Sequence, residues 1–493
     1  MWKSASQLYT ASGSRDLDRQ ALVIDELADG ELMQRAGESA YRLLRFRWPR
    51  AKKILIVCGP GNNGGDGYVL ACQCFDHGLQ PLVVHAGDPG KQAGDAQAAR
   101  RRFEQTACPM TAYSGEPLPQ ADVVVDALLG SGSNRQLTGL YLQLVTAINA
   151  STSPVLALDL PTGIDADTGG VLGSAVNAEA CLCFVALKQG LLSGPALNHA
   201  RELYFDELGV STAVYASVVP SALRVDEKQV RSLLPHRRPD THKGEQGRVL
   251  VVGGNTGMSG AAYMAGEAAL RSGAGLVTLV LPSPEISIPV PEVIVAVRRH
   301  RREMTDMTQA ADAIVIGPGL GSDGWAKEML SAVLDQYRAG KLLIDAEGLN
   351  LLAAEPIQLN GAVITPHPGE AARLLGSTTQ AIQQDRYAAV RAIASRYQCV
   401  CVLKGAGTLV SDGKAVYVCD RGHAGMATAG AGDVLSGVVA GLMAQGLSPL
   451  GAACAGIWLH AVAGESAGAV LGNGLIATDI MKSLPSILRQ VSS

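Results

Sequence analysis

The chain has 493 residues, a formal net charge of −4, 47% hydrophobic and 17% charged residues. These numbers allow two to four domains and give ample material for buried cores. They argue against a nucleic-acid partner, which needs a basic excess on one face. The 57 glycines, beside only 4% aromatics, point to many tight turns and close backbone approaches.

The opening MWKSASQLYT lacks the charged-then-apolar profile of a signal peptide. No uninterrupted apolar run of about 18 residues appears, so no membrane-spanning segment is expected and the reading is cytoplasmic. The basic run from Arg45 to Lys53 reads as a solvated helix end before a strand. Five apolar strand-like runs follow in the first half: Ile54–Cys58, Pro81–Ala86, Asp122–Leu129, Val155–Leu160 and Cys181–Leu187. Helical stretches fall between several of them, the alternation of a doubly wound parallel sheet. A stretch rich in proline and charge follows, and the domain boundary is placed near Pro220, giving domains 1–220 and 221–493. The alternation then restarts with Arg248–Gly254, Gly275–Pro282, Ala313–Gly319, Lys341–Glu347, Ala362–Pro368 and Cys399–Gly405. A long helical region follows Gly432. The halves share no motif at matching offsets, so the chain reads as a fusion. The ten cysteines lack a CxxC framework. Cys181/Cys183 and Cys399/Cys401 read as buried pairs on strand faces.

In the first half, the Ile54–Cys58 strand runs straight into GPGNNGGDG, Gly59–Gly67. A glycine-rich turn opening a helix lets backbone N–H groups converge on a phosphate, and the helix N-terminus adds positive partial charge. Asp126 and Asp159 end later strands, and Thr162 follows closely. In open α/β sheets, ligands bind outside the carboxyl ends of the strands, so Asn63, Asp126, Asp159 and Thr162 are expected around one crevice. Oxygen-rich groups there suit a hard cation, and a carboxylate near the ligand suits proton transfer. A single strand-end Asp would read instead as a helix cap.

These motifs, with DALLGSG, DLPTGIDADTG and the upstream LMQRAG, closely resemble the NAD(P)H-hydrate epimerase family over roughly Leu8 to Val218. The resemblance implies a Rossmann-like three-layer αβα sandwich that interconverts the R and S hydrates of NADH and NADPH. It implies nucleotide contacts at Asn62, Asn63, Gly64, Gly65 and Asp66. It implies a K+ held by Asn63, Asp126 and Thr162, and a segment closing over the ligand at Gly130, Ser131, Gly132, Ser133, Asn134, Arg135 and Gln136. Asp159 is implied as the ring-binding acid/base. Thr162 stands where Ser is commoner, keeping the hydroxyl, and Ser131–Gly132–Ser133 departs from the usual Gly-Thr-Gly.

The second half holds the strongest signal, GMATAGAGDVLSGVVAGLMAQG at Gly425–Gly446. AGAGD opens a helix whose first backbone N–H groups form an anion hole for a transferring phosphoryl group. Asp433, in the first turn, can take a hydroxyl proton as that oxygen attacks phosphorus. CVLKGAGTLV places Lys404 and a glycine turn after a strand, and GPGLGSD is another strand-end glycine loop. Asp345, Asn350, His367 and Glu370 fall at or near strand ends.

With GNTGMSGAAYMAGEAALRSGAGLVTL and TPHPGEAARLLG, this half resembles the ribokinase superfamily and, within it, the ADP-dependent NAD(P)H-hydrate dehydratases, over roughly Leu223 to Leu488. The resemblance implies a ribokinase-like αβα domain. It implies nucleotide contacts at Lys404, Gly405, Ala406, Gly407, Thr408 and Gly432. It implies substrate contacts at Ala261, Gly319, His367 and Asp433, with Asp433 catalytic. ADP as co-substrate and Mg2+ are implied with it. Glu347 stands where Asp is usual and is assigned no role. Two other readings stay open: a small-molecule kinase for a sugar or vitamin, and a nucleotide-binding regulator without catalysis. Small-residue helices are the one weak pointer to a homo-oligomer.

Overall fold

A computed structural model describes residues 6–88, 92–284 and 290–492. The chain divides into two compact units, Met1–Leu223 and Arg224–Ser493.

The first unit is built on seven parallel strands in the order Met110–Ala112, Gln80–His85, Lys53–Cys58, Val123–Ala127, Val155–Leu158, Ala178–Phe184 and Ala200–Asp206. The central strands are Val/Ile/Leu runs buried along their length, as expected where helices cover both faces of a parallel sheet. Strand order reverses between Lys53–Cys58 and Val123–Ala127, which pair with Val57 level with Asp126. The crevice at such a reversal is where ligands sit in these sheets. A short strand, Gln7–Tyr9, runs parallel to Leu187–Lys188 and sets Tyr9 opposite Lys188.

The second unit has seven parallel strands in the order Ile294–Val297, Leu276–Leu281, Arg248–Val252, Ala313–Ile316, Leu342–Ile344, Val363–Ile364 and Val400–Leu403. Two antiparallel strands, Thr408–Ser411 and Val416–Cys419, extend the edge. The helices Ala431–Ala444 and Ser259–Arg271 pack backbone against backbone. A Cβ on Gly437 would sit 2.1 Å from the Ala265 carbonyl oxygen, and one on Gly441 2.2 Å from Ser272 Oγ. Among the described residues one helix, Pro449–Leu471, is long and apolar enough to cross a membrane, by length and composition only. It is the core helix of this unit, and every residue from Gly451 to Ala461 is buried.

Both units carry the expected α/β layers, with shorter strands than the apolar runs suggested. The strand after Asp122 ends at Ala127, and that after Lys341 ends at Ile344, because the chain leaves the sheet to form the site loops. The edge strands Met110–Ala112 and Ala200–Asp206 escaped the pattern because they are half-exposed and mixed in polarity, and Ile294–Val297 because its apolar run is only four residues long. Nine of the ten cysteines are buried, all as free thiols. Cys181 and Cys183 share a strand face as expected, whereas Cys399 lies just before its strand.

Candidate active sites

The first site lies at the sheet reversal of the first unit. Helix Asn62–Asp76 starts directly from the glycine turn, and the turn is packed too closely for side chains. A Cβ on Gly59 would fall 1.6 Å from the Leu128 carbonyl oxygen, and one on Gly64 2.0 Å from that of Gly59. Asp126 is fully buried. It accepts hydrogen bonds from Thr162 Oγ1 at 2.7 Å, Thr162 N at 2.8 Å and Leu128 N at 3.2 Å. Burial outweighs these bonds and pushes its carboxyl up to about 6. Thr162 Oγ1 in turn accepts from Leu129 N at 3.0 Å. Asn63 is buried beside this pair of loops, and among the described residues neither its Oδ1 nor its Nδ2 has a hydrogen-bond partner.

Asp159 stands at φ +66°, the left-handed region that costs a non-glycine residue energy and persists only where surroundings enforce it. Ser131 N donates to its Oδ2 at 3.1 Å, and Lys188 Nζ pairs with its Oδ1. Lys188 is 1% exposed and also reaches the Phe184 carbonyl. Asp159 is the first-ranked charge raising the Lys188 pKa against the opposing effect of burial. Gly130 fits between Asn63 and Asp159, since a Cβ there would lie 3.2 Å from Asn63 Cβ and 3.3 Å from Asp159 Oδ2. The structure thus brings together Asn63, Asp126, Thr162, Asp159 and the loop from Gly130 to Gln136. A cavity of about 830 Å³ opens here, lined by Asn62, Asn63, Asp66, residues 130–136, Asp159 and Lys188. Sequence reading missed Lys188 and also Asp18, which lines the same cavity from helix Ala11–Ile24. A lysine ending the apolar run FVAL was the one available signal for the first.

The second site collects the C-terminal strand ends of the second unit. Parallel pairing aligns the loops after Val252, Ile316, Ile344, Ile364 and Leu403 along one sheet edge. Gly319, at φ +59°, packs on Ala261, with a Cβ there 3.3 Å from Ala261 Cβ. His367 caps helix Pro368–Leu375: its Nδ1 accepts from Gly369 N at 3.0 Å while Glu370 Oε2 accepts from His367 N at 2.7 Å. Its ring is half-exposed, and burial followed by the nearby Lys404 lowers its pKa. Lys404 Nζ lies 2.7 Å from Asp345 Oδ1 and 3.9 Å from Glu370 Oε2. Asp345 is 1% exposed, and its Oδ2 accepts from Ser436 Oγ at 2.7 Å. Lys404 Nζ also sits 3.2 Å from where a Gly432 Cβ would be, so the ammonium lies over the first turn of helix Ala431–Ala444. Gly430, at φ +87°, opens that helix.

Asp433, in the same turn, is pushed up to about 7, chiefly by burial and then by the charge of Asp345, against Lys404. The loop Lys404–Thr408 is a hairpin turn, with Gly405 at φ +136° and Gly407 at φ +64°. Beneath it Arg386, 1% exposed, donates to the carbonyls of Leu403 at 3.2 Å, Lys404 at 3.3 Å and Gly407 at 3.4 Å. Asp345 was noted in sequence without a role, and Ser436 and Arg386 were not singled out. Their partners lie far along the chain, and no local pattern marks them.

Comparison with known proteins follows the same division. Residues 249–486 match the NAD(P)H-hydrate dehydratase family, and residues 29–190 match the YjeF-related protein N-terminus. A bifunctional NAD(P)H-hydrate repair enzyme from Coxiella burnetii is 43% identical over 97% of this chain and 98% of its own length. One from Escherichia coli is 39% identical over 98% of this chain and 94% of its own. Among solved structures, a ribokinase-like superfamily protein from Enterococcus faecalis superposes with a TM-score of 0.50 at 28% identity, covering 55% of this chain and 96% of that one. With both units matched and relatives aligned end to end, this chain belongs to the family of bifunctional NAD(P)H-hydrate repair enzymes.

Proposed function

We propose that the first unit interconverts the R and S hydrates of NADH and NADPH, and that the second dehydrates the S hydrate at the expense of ADP, giving NAD(P)H, AMP and phosphate. The observation that carries this reading is one chain holding two strand-edge sites of complementary chemistry: a clamped carboxylate, Asp159, in a ligand-sized cavity, and a carboxylate, Asp433, at a helix N-terminus under an ammonium.

In the first unit, backbone N–H groups at Asn62–Asp66 and the loop Gly130–Gln136 are suited to hold the dinucleotide's phosphates. Asp159, fixed by Ser131 N and Lys188, takes the proton of the ring hydroxyl as the ring opens and returns it on closure. The unpartnered Asn63 Oδ1, the buried Asp126 carboxylate and Thr162 Oγ1 form an oxygen set fit for K+. When bound, that ion neutralises Asp126 and steadies the loops beside the cavity.

In the second unit, Lys404–Thr408 and Gly432 cradle the nucleotide, and Ala261, Gly319 and His367 position the hydrate. Asp433 accepts the proton of the ring hydroxyl while that oxygen takes the terminal phosphoryl group of ADP. The first-turn N–H groups and Lys404 stabilise the charge on the transferring group. Phosphate is a far better leaving group than hydroxide, and its departure, assisted by the ring nitrogen's electrons, restores the reduced nicotinamide. Asp345, Glu370 and Asp433 gather around the single ammonium of Lys404, a negative excess that fits a phosphate-borne Mg2+. Bound Mg2+ supplies charge neutralisation of the phosphates. The same reading places the protein in the cytoplasm with small molecules as its ligands.

The test supplies mixed R and S NADH hydrate with ADP and Mg2+ and follows the reduced-nicotinamide absorbance. An ADP-dependent rise that consumes the whole mixture faster than spontaneous epimerisation is expected. No rise with ADP or ATP overturns the dehydratase reading in favour of a small-molecule kinase.

A further inference from the structure

Opening the hydrated ring moves two protons, one off the hydroxyl and one onto the ring nitrogen, and two groups serve them more readily than one clamped carboxylate. The hydroxyl on the carbon beside the ring nitrogen must lose its proton as the carbon–nitrogen bond breaks. The bond's electron pair goes to the nitrogen, which must gain a proton for the opened form to stand free. Rotation about the adjacent carbon–carbon bond presents the other face of the new aldehyde, and closure runs the same transfers backwards. Asp159 is bound on both oxygens, Oδ1 by Lys188 and Oδ2 by Ser131 N, and fits the hydroxyl half of this exchange. Lys188 is a poor proton donor for the other half, since the Asp159 carboxylate holds it firmly charged.

The cavity offers another group. Asp18 lines it from helix Ala11–Ile24, an element that carries no part of the glycine turn or of the loop Gly130–Gln136. It is half-buried, and among the described residues no hydrogen bond or ion pair engages its carboxyl. The charges around it are Lys188, Asp159 and Asp66, with the Tyr215 phenol nearby and Arg15 and Arg19 on its own helix lining the same cavity.

We propose that Asp18 is a second catalytic acid–base group of the epimerase cavity, giving its proton to the ring nitrogen while Asp159 takes the hydroxyl proton, and recovering it on closure. The inference rests on the epimerase reading above. Burial pushes Asp18 up to about 6, with Lys188 opposing and Asp159 adding, so both of its forms are populated near neutrality. Asp66 is also pushed well above the usual carboxylate range, by burial and then by the charges of Asp159 and Asp18. Two carboxyl groups in different surroundings around one ligand, Asp159 clamped on both oxygens and Asp18 lining the cavity from another element, are the arrangement that acid–base pairs use.

The full-length protein is tested on purified R hydrate of NADPH without ADP, with S hydrate measured by chromatography against the spontaneous rate. Asp18→Asn is expected to lower kcat about 100-fold or more with KM nearly unchanged, and Asp18→Glu to restore part of the rate. In the wild type, kcat/KM is expected to fall as pH rises through about 6, and that limb is lost in Asp18→Asn. Dehydration of S hydrate with ADP by the same preparations, and a melting temperature no lower than the wild type's, show the chain is folded. If Asp18→Asn proves unstable, a wild-type profile without that limb overturns the proposal by itself. A variant matching the wild type in rate and profile also overturns it, leaving the epimerase reading intact. A wild type that does not outpace spontaneous exchange overturns both.

Discussion

Asp433 meets two opposing demands. A base acts as a carboxylate, yet burial and the neighbouring Asp345 favour the acid form up to about 7. For dehydration, kcat/KM is therefore expected to fall about tenfold per unit as pH drops below about 7, the free enzyme's value being the one such a profile reports. For stability the sign is reversed. The folded pKa lies above the unfolded one, near 4, so the folded state binds more protons between them and stability declines as pH rises from about 4 to about 7. Asp433→Asn removes that cost and the base together. We expect it to melt higher than the wild type at neutral pH, to bind ADP as before, and to dehydrate at least about 100-fold more slowly. Retained turnover would remove Asp433 from the chemistry. The strand-end loops that hold these residues were legible because their glycines and carboxylates are contiguous. Lys188 and Asp345 were not, because their significance lies in ion pairs formed across 29 and 59 positions.

The helix Ala431–Ala444 delivers both the anion hole and Asp433, so its seat matters as much as its sequence. Its small residues were read from the sequence as part of the motif. Their reason is the approach to helix Ser259–Arg271, where Gly437 and Gly441 leave space for carbonyl oxygens and a hydroxyl at distances no Cβ tolerates. Gly437→Ala is expected to lower stability by about 3 kcal/mol in chemical denaturation and to impair dehydration, because the helix start must shift with its body. Unchanged stability would mean the two helices separate more easily than their contact implies. The edge strands and the Arg386 brace under the hairpin were illegible for a related cause: short length or mixed polarity hides an edge, and three carbonyls carry no side-chain signature.

Each unit has its own sheet and its own site, so the two activities should be separable on one chain. Asp159→Asn is the suitable epimerase variant because it leaves Lys188 a polar partner, whereas truncation would strand a buried ammonium. Alone, it should dehydrate S hydrate normally and leave R hydrate to spontaneous exchange. Alone, Asp433→Asn should equilibrate the epimers and yield no NAD(P)H. Mixed together, the two variant proteins should consume the whole pool of both epimers at a rate approaching the wild type. A mixture no faster than Asp159→Asn alone would show that product of the first site must reach the second on the same chain.

The cysteines give the molecule another property. Burial pushes the thiols of Cys58, Cys72, Cys399, Cys401 and Cys454 upward, and those of Cys74 and Cys419 to about 12, while Cys181 is raised first by its hydrogen bond with Cys183 and then by burial. Peroxide attacks the thiolate, not the thiol, and needs access to it. These sulfurs offer little of either, so peroxide is expected to leave these eight thiols unmodified and to reach the partly exposed Cys108 first. Because Cys108 lies outside both sites, modification there should leave both activities in place.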